Sequence, residues 1–508
     1  MVQIQKKSDI NSTRNVSEIH RQTGVEYLKI SNLNMGKLKI KGGDLTKLGF
    51  PKGSKVTSMT LGLMHRYYKH NNKAFVLNML KQLVKNPKKF ISHEVLEPIA
   101  ELLIEKPEVE NIEVGEEIRL LRDDEIKSFK KYGSQYIGQG AIDQMNIAMR
   151  LPVTVKGALM ADAHQGYGLP IGGVLATQNC VIPYGVGVDI GCRMSLSIYE
   201  AKASYLANND FQLKGLIKEN ARFGRHIFED RNRNDAIFER SEFKDIKILK
   251  KLRNKAYQQI GSSGGGNHFV EFGIVKITDI DNEFGLQIGE YMGLLTHSGS
   301  RALGANIARH YTNIAQELCY LPKQAQHLAW LNLDSEPGQE YWAAMNLAGD
   351  YASACHHHIH RRMMKSLGME VVATVENHHN FAWKEHLENG EEVIVHRKGA
   401  TPAGKGVLGI IPGSMTAPGF IVRGTGNPLS LNSASHGAGR QMSRTKAKAN
   451  LNMKMLKQEL SKNKVTLFGG GLDEAPQAYK NIHDVMAAQQ DLVEVIGRFL
   501  PKIVRMDK

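Results

Sequence analysis

Cysteine is scarce in this chain. Four residues (Cys180, Cys192, Cys319, Cys355) among 508 are too few to staple a fold of this size. That excludes a disulfide framework and points to a reducing, cytoplasmic setting. Long apolar runs are missing as well: none approaches the roughly 20 residues that cross a bilayer, so no membrane partner is expected. The opening MVQIQKKSDINSTRN lacks the apolar stretch of a signal peptide. Acidic residues fall short of basic ones, 51 against 66, leaving a formal net charge of +15. Such an excess favours a polyanionic partner, although charge alone does not specify nucleic acid.

The length allows two to four domains by size, and the texture changes near residue 115. Before it, LGLMHRYYKHNNKAFVLNMLKQLVKNPKKF (61–90) reads as an amphipathic helix with lysines on the wet face. EVLEPIAELLIEKPEVE reads as another helix, closed by Pro107. Residues 1–115 are therefore expected to form a small, mainly helical accessory module, a solvated cap ahead of a nucleic-acid contact. From 116 onward glycine punctuation is dense and short strands alternate with helices. VATVENHHN, VIVHRKGA, GVLGIIPGSM and KVTLFGGG run apolar and then break at glycine or a polar cluster, while 302–318 and the basic 445–462 read as helices. Residues 116–508 are expected to be one large mixed α/β domain whose polar loops converge.

Chemistry concentrates where these apolar runs meet glycine-rich turns. VGVDIGCR brings Asp189 and Cys192, GGGNHFVEF brings His268, LLTHSGSR His297, ENHHN His378 and His379, and SASHGAGR His436. Carboxylate, thiolate and imidazole are transition-metal ligands, and strand ends can aim them at one point. Seven such groups exceed one ion's needs, so either two metals or one metal beside a reactive histidine fits. Gly191 permits a turn that puts carboxylate and sulfur on one side. Taken singly, Cys192 reads as a buried structural thiol, and each histidine as merely hydrogen-bonded. Ser298, Ser300 and Arg301 are placed to cap a helix and meet phosphate. His436 is the sharpest site: small neighbours clear its ring, and a basic helix with Arg440, Arg444 and Lys446 follows, suited to phosphate. CHHHIHRRMM (355–364) puts His356 and His360 four apart on a helix; an exposed basic face is the expected reading.

Together with MADAHQGYGLPIGGVLAT (160–177), HRKGATPA and PGSM, these motifs resemble the RtcB family of RNA ligases over about residues 116–490. The resemblance implies a GTP- and manganese-dependent enzyme. It implies that Asp189, Cys192 and His268 bind one Mn²⁺, and that Cys192, His297 and His379 bind a second, sharing the sulfur. His436 matches the family's guanylylated nucleophile, and Asp162 a carboxylate near it. Asn267, His268, Phe269 and Glu271, with His379 and Asn380, match the guanylate pocket. So do Pro412, Gly413, Ser414 and Met415, then Gly437, Ala438 and Gly439, and the aromatic Tyr479. The reaction so implied joins RNA ends bearing a 3′-phosphate or 2′,3′-cyclic phosphate to 5′-hydroxyl ends, as in tRNA splicing or RNA repair.

Two details depart from the family pattern. Gly419 stands where a nucleotide-contacting serine is usual, and the chain ends PKIVRMDK instead of Lys-Gly, which puts in question a guanine contact from Lys508. A metal-dependent phosphoesterase that opens cyclic phosphates without ligation is the alternative, but it has no use for His436. A non-catalytic RNA-binding scaffold would not need the ligand set. RNA such as tRNA halves is the expected partner, an archease-like activator is left open, and a monomer is the default expectation.

Overall fold

The computed structural model describes residues 38, 40–50, 55–91, 93, 95–104, 121–122, 128–228 and 233–507. Two compact units divide at Gly115 and Glu116. The first contains helices Gly42–Thr46, Lys55–Tyr67, Lys73–Lys85 and Glu97–Ile104. They close over a core that includes Leu45, Met64, Val76, Leu80, Leu83 and Ile99. The stretch 61–90 is thus not one helix. It breaks after Tyr67 and restarts at Lys73, because the Asn72 side chain accepts the Ala74 N–H at 2.8 Å and nucleates a new N-terminus. Pro107 lies outside the described residues, as does Lys508.

The second unit is the expected mixed α/β fold. The elements that frame the site include, in chain order, β1 (Thr154–Tyr167), β2 (Leu169–Thr177), β3 (Arg193–Lys202), β4 (Phe269–Ile277), β5 (Gly289–Ser298), α1 (Arg301–Leu318) and α2 (Glu336–Leu367). They continue with β6 (Val371–His378), β7 (Asn380–His386), β8 (Glu392–Lys398), β9 (Ala400–Pro402), β10 (Leu408–Ile411), β11 (Gly419–Gly424), β12 (Ser433–Ser435) and β13 (Val493–Met506). One sheet runs Lys130–Lys131, β1, β2, β8, β7; the larger runs β10, β11, β13, β4, β5, β3, β6. β9 and β12 form a separate ribbon. Alternation along β5 puts Met292 and Leu294 into one apolar cluster and Leu295 into another on the opposite face. β2, β8 and most of β1, β3 and β5 are buried on both faces and read as near-continuous apolar runs, whereas β6, β7 and β13 alternate with exposed residues.

Two helices differ from the sequence reading. Residues 445–462 split into Arg444–Asn450 and Met453–Lys462, because the Asn452 side chain accepts the N–H groups of Lys454 and Met455 at 3.0 Å. Of the histidines of 355–364, only His357 lies on an exposed basic face, beside Arg361. All of them lie on α2, which is capped by Ser335 and ended by Gly368 in the left-handed region, and His356, His358 and His360 are buried. Among the described residues no helix is long and apolar enough to cross a membrane.

Candidate metal centre and nucleotide cavity

Register in the larger sheet assembles the first cluster. Phe269 of β4 pairs with His297 of β5; Arg193 of β3 pairs with Ser298 of β5 and with His378 of β6. His297 at the end of β5, and His268, Cys192 and His379 one residue beyond β4, β3 and β6, therefore gather at one end of four adjacent strands. Cys192 Sγ lies 3.3 Å from His268 Nε2 and 3.2 Å from His297 Nε2. His297 Nε2 is 3.3 Å from His379 Nε2, and Asp189 Oδ2 is 3.0 Å from His268 Nε2. Gly191, at φ +69°, makes the turn that puts Asp189 and Cys192 side by side. The Ser300 N–H steadies the other Asp189 oxygen at 3.1 Å.

The protonation pattern suits a cation. Asn267 O sits 3.2 Å from His297 Nδ1 and can only accept, so Nδ1 carries the hydrogen and Nε2 offers its lone pair to the cluster. Burial holds His297 and His379 well below the usual histidine range, in the neutral form that ligates. Burial and the neighbouring Asp189 push the Cys192 thiol well up, so in the absence of a cation the sulfur stays protonated. Cys192, His268 and His297 offer ligand atoms within 4.8 Å of one another. The buried Nδ1 atoms of His268 and His379 have no hydrogen-bond partner. Thiolate plus imidazole is a donor set for a transition metal, and these residues fit one.

A second cluster abuts the first. His436 follows β12, and its ring centroid is 4.9 Å from that of His379. Its Nδ1 lies 2.6 Å from Oδ2 of the fully buried Asp162, whose other oxygen has no partner. Burial pushes the Asp162 carboxyl up, but His436, Lys480 and His164 outweigh it and hold it below the usual range. A carboxylate accepting at Nδ1 leaves Nε2 of His436 as the lone-pair nitrogen. Gly439, at φ +69°, lets the chain pass Asp162 where a Cβ would sit 2.0 Å from the carbonyl oxygen.

His436 borders a cavity of about 280 Å³ that Asn267, Phe269, Glu271, His297, His379, Pro412–Met415, Gly437–Gly439 and Tyr479 also line. Two residues assigned to the nucleotide pocket do not reach it. His268 belongs to the thiol cluster. Asn380 is a strut: its side chain donates to Asp189 O at 3.3 Å and accepts from Gly399 N–H at 2.8 Å. Burial pushes the Glu271 carboxyl well up, which favours its neutral form in the wall. Sequence reasoning missed His164 and Glu474 in this lining. Glu474 sits in LDEAPQAY with nothing local to mark it; only folding brings it to Arg440, Arg444 and Tyr479 Oη.

Three basic or capping assignments are corrected by these contacts. Arg440 precedes the helix instead of riding on it, and with Arg444 it is held by Asp473 and Glu474. Ser300 occupies the N-cap of α1 without a side-chain bond, and Arg301 turns to Ser262 Oγ and Gly224 O. His378 packs through its ring, stacked on Trp383 at 5.0 Å and edge-on to Phe381.

Residues 144–507 match the family model described as RtcB, tRNA-splicing ligase RtcB. Among curated proteins the chain is 34% identical over 369 residues to RNA-splicing ligase RtcB1 of Escherichia coli strain ATCC 25922, covering 67% of this chain and 87% of that protein. RNA-splicing ligase RtcB of Escherichia coli K12 matches to the same extent. The tRNA-splicing ligase RtcB of Nanoarchaeum equitans is 32% identical over 438 residues, 72% of this chain and 90% of its own. A family match across most of the second unit, on a fold that gathers the motif residues at one strand edge, places the chain in the RtcB family.

Proposed function

We propose that the chain is an RNA ligase that uses GTP and manganese to join RNA 3′-phosphate or 2′,3′-cyclic phosphate ends to 5′-hydroxyl ends, in tRNA splicing or RNA repair. One observation carries this reading: His436, oriented by Asp162 at 2.6 Å, stands between a thiol–imidazole cluster and a nucleotide-sized cavity. A hydrolytic phosphoesterase needs only the cluster. Asp189, Cys192 and His268 would hold one ion, and Cys192, His297 and His379 a second; bound metal supplies charge neutralisation at phosphoryl oxygens.

The residues divide the work. Nε2 of His436 attacks the α-phosphorus of GTP, forming an N–P bond as the bond to pyrophosphate breaks, while Asp162 stabilises the positive imidazole. The terminal oxygen of an RNA 3′-phosphate then takes the GMP, restoring the free ring. Finally a 5′-hydroxyl attacks the activated 3′-phosphorus and GMP departs. A cyclic end is first opened to the 3′-phosphate. Phe269, Pro412–Met415 and Tyr479 wall the nucleotide, and Glu271 offers a donor or acceptor to its base. The wider groove beside it, lined by Gln441, Lys446, Lys480 and His483, suits the RNA ends. Residues 1–115 act as an accessory module; Lys81, Lys85, Lys88 and Lys89 are exposed there and add to attraction of RNA.

The test is adduct formation. With Mn²⁺ and α-labelled GTP the protein should acquire an acid-labile, alkali-stable label, as a phosphoramidate requires, and His436→Ala should abolish it. Label of the same stability persisting in that variant rejects His436 as nucleophile.

A further inference from the structure

The buried histidines of α2 form a polar structure that the reaction does not use. Ser197 Oγ lies 2.7 Å from His360 Nδ1, and His360 Nε2 lies 2.8 Å from Thr296 Oγ1. Thr296 Oγ1 lies 2.6 Å from His356 Nδ1, and His356 Nε2 lies 3.2 Å from Ser298 O. Ser197, Thr296, His356 and His360 are all buried. With both rings neutral the hydrogens run one way; Thr296 Oγ1 also lies 3.4 Å from Ser195 O, a longer contact than its 2.6 Å to His356 Nδ1. Ser298 O only accepts, so His356 Nε2 donates. A neutral His356 then accepts at Nδ1 from the Thr296 hydroxyl. Thr296 in turn accepts from His360 Nε2–H, and His360 Nδ1 accepts from Ser197. Burial keeps His356 and His360 below the usual range, at about 4 and about 3, consistent with two neutral rings. The chain runs in one direction and uses each of its side-chain donors once.

We infer that His356 and His360 are positioning residues for the metal ligands, locking the end of β5 through Thr296 and Ser298. That strand end is where the ligands converge. His297 lies between Thr296 and Ser298; Ser300 N–H holds Asp189 at 3.1 Å; and Ser298 Oγ accepts from Gly264 N–H at 3.3 Å, in the loop that leads to His268. A shift of Ser298 would therefore displace three ligands together. An apolar trio would fill the same volume without fixing a direction, whereas a satisfied polar chain permits one arrangement. A second metal at this place is excluded by geometry, since both facing ring nitrogens are already taken by one hydroxyl. The inference rests on the metal reading of the Cys192 cluster.

Cobalt(II) binding to the full-length protein tests it, because a thiolate–cobalt charge-transfer band and the visible ligand-field bands report the ligand geometry directly. Thr296→Ser keeps the hydroxyl and should match the parent. Thr296→Val keeps the shape but breaks both ring contacts, and His356→Leu removes the link to Ser298. Both should weaken cobalt binding by roughly 10- to 100-fold and alter the bands. A variant that loses thermal stability but keeps affinity and spectrum overturns the inference, since a merely structural role would do that. Should those two variants fail to fold, Ser197→Ala, which removes only the terminal hydroxyl, is read the same way: weaker binding with altered bands supports the chain, and unchanged binding overturns it. A parent protein that takes no cobalt at Cys192 overturns the metal reading, and the inference with it.

Discussion

At the scale of single residues, the functional contrast is between two histidines 4.9 Å apart at their ring centroids. His379 is buried and brings Nε2 to within 3.3 Å of His297 Nε2 in the cluster; His436 is tied by Nδ1 to Asp162 and borders the cavity. In the proposed reaction, tautomer control decides which nitrogen reacts, and Asp162 exercises it. Asp162→Asn leaves the volume unchanged but allows the amide to donate where the carboxylate must accept. Single-turnover labelling with GTP should slow by on the order of 10³- to 10⁴-fold, as when a triad aspartate is replaced by asparagine. A rate equal to the parent's would show that Asp162 does not orient the ring. His436 itself was legible because HGAGR combines imidazole with small neighbours. Glu474 was not, since its role depends on Arg440 and Arg444 arriving from a segment some thirty residues upstream.

At the scale of elements, the turn between Asp189 and Cys192 is sharply constrained. Gly191 is left-handed, and a Cβ there would meet Gly349 Cα of α2 at 2.8 Å. Gly191→Ala should cost about 1–2 kcal/mol for the backbone alone, with more for the contact, and should weaken metal binding. Denaturant unfolding and cobalt titration read the two effects; a variant with the parent's midpoint and affinity would show that the turn is not constrained. The same scale exposes where periodicity misleads. The apolar spacing of 61–90 and 445–462 continues through Asn72 and Asn452, so each stretch reads as one helix. A side-chain carbonyl that caps the next N-terminus costs little sequence and ends the element. Asparagine inside a helical pattern was the available signal.

At the scale of the whole molecule, buried neutral histidines couple stability to pH. His356 and His396 are held at about 4 and His360 at about 3 by burial. In the unfolded chain these rings bind protons below about pH 6.5, while the folded protein resists until about pH 4. The unfolded state therefore gains protons first. Stability is complete above about pH 6.5 and declines as pH falls toward 4, by roughly 3 kcal/mol per ring at most. Unfolding midpoints in denaturant should drop between pH 7 and pH 4.5. A flat profile across that interval would mean that the rings are charged or solvated in the folded state.

By itself, the sequence determined the chemistry and its addresses: which side chains can ligate, which histidine has a cleared ring, and where glycine lets a strand turn sharply. Those are local properties, written in residue type and immediate neighbours. Tertiary structure alone decided which of them meet. Register across β4, β5, β3 and β6 brought four candidate ligands to one edge, folding took Asn380 out of the cavity as a strut, and it turned His356, His358 and His360 of α2 inward. Pairing and burial arise between segments up to some 270 positions apart, and no local pattern encodes them.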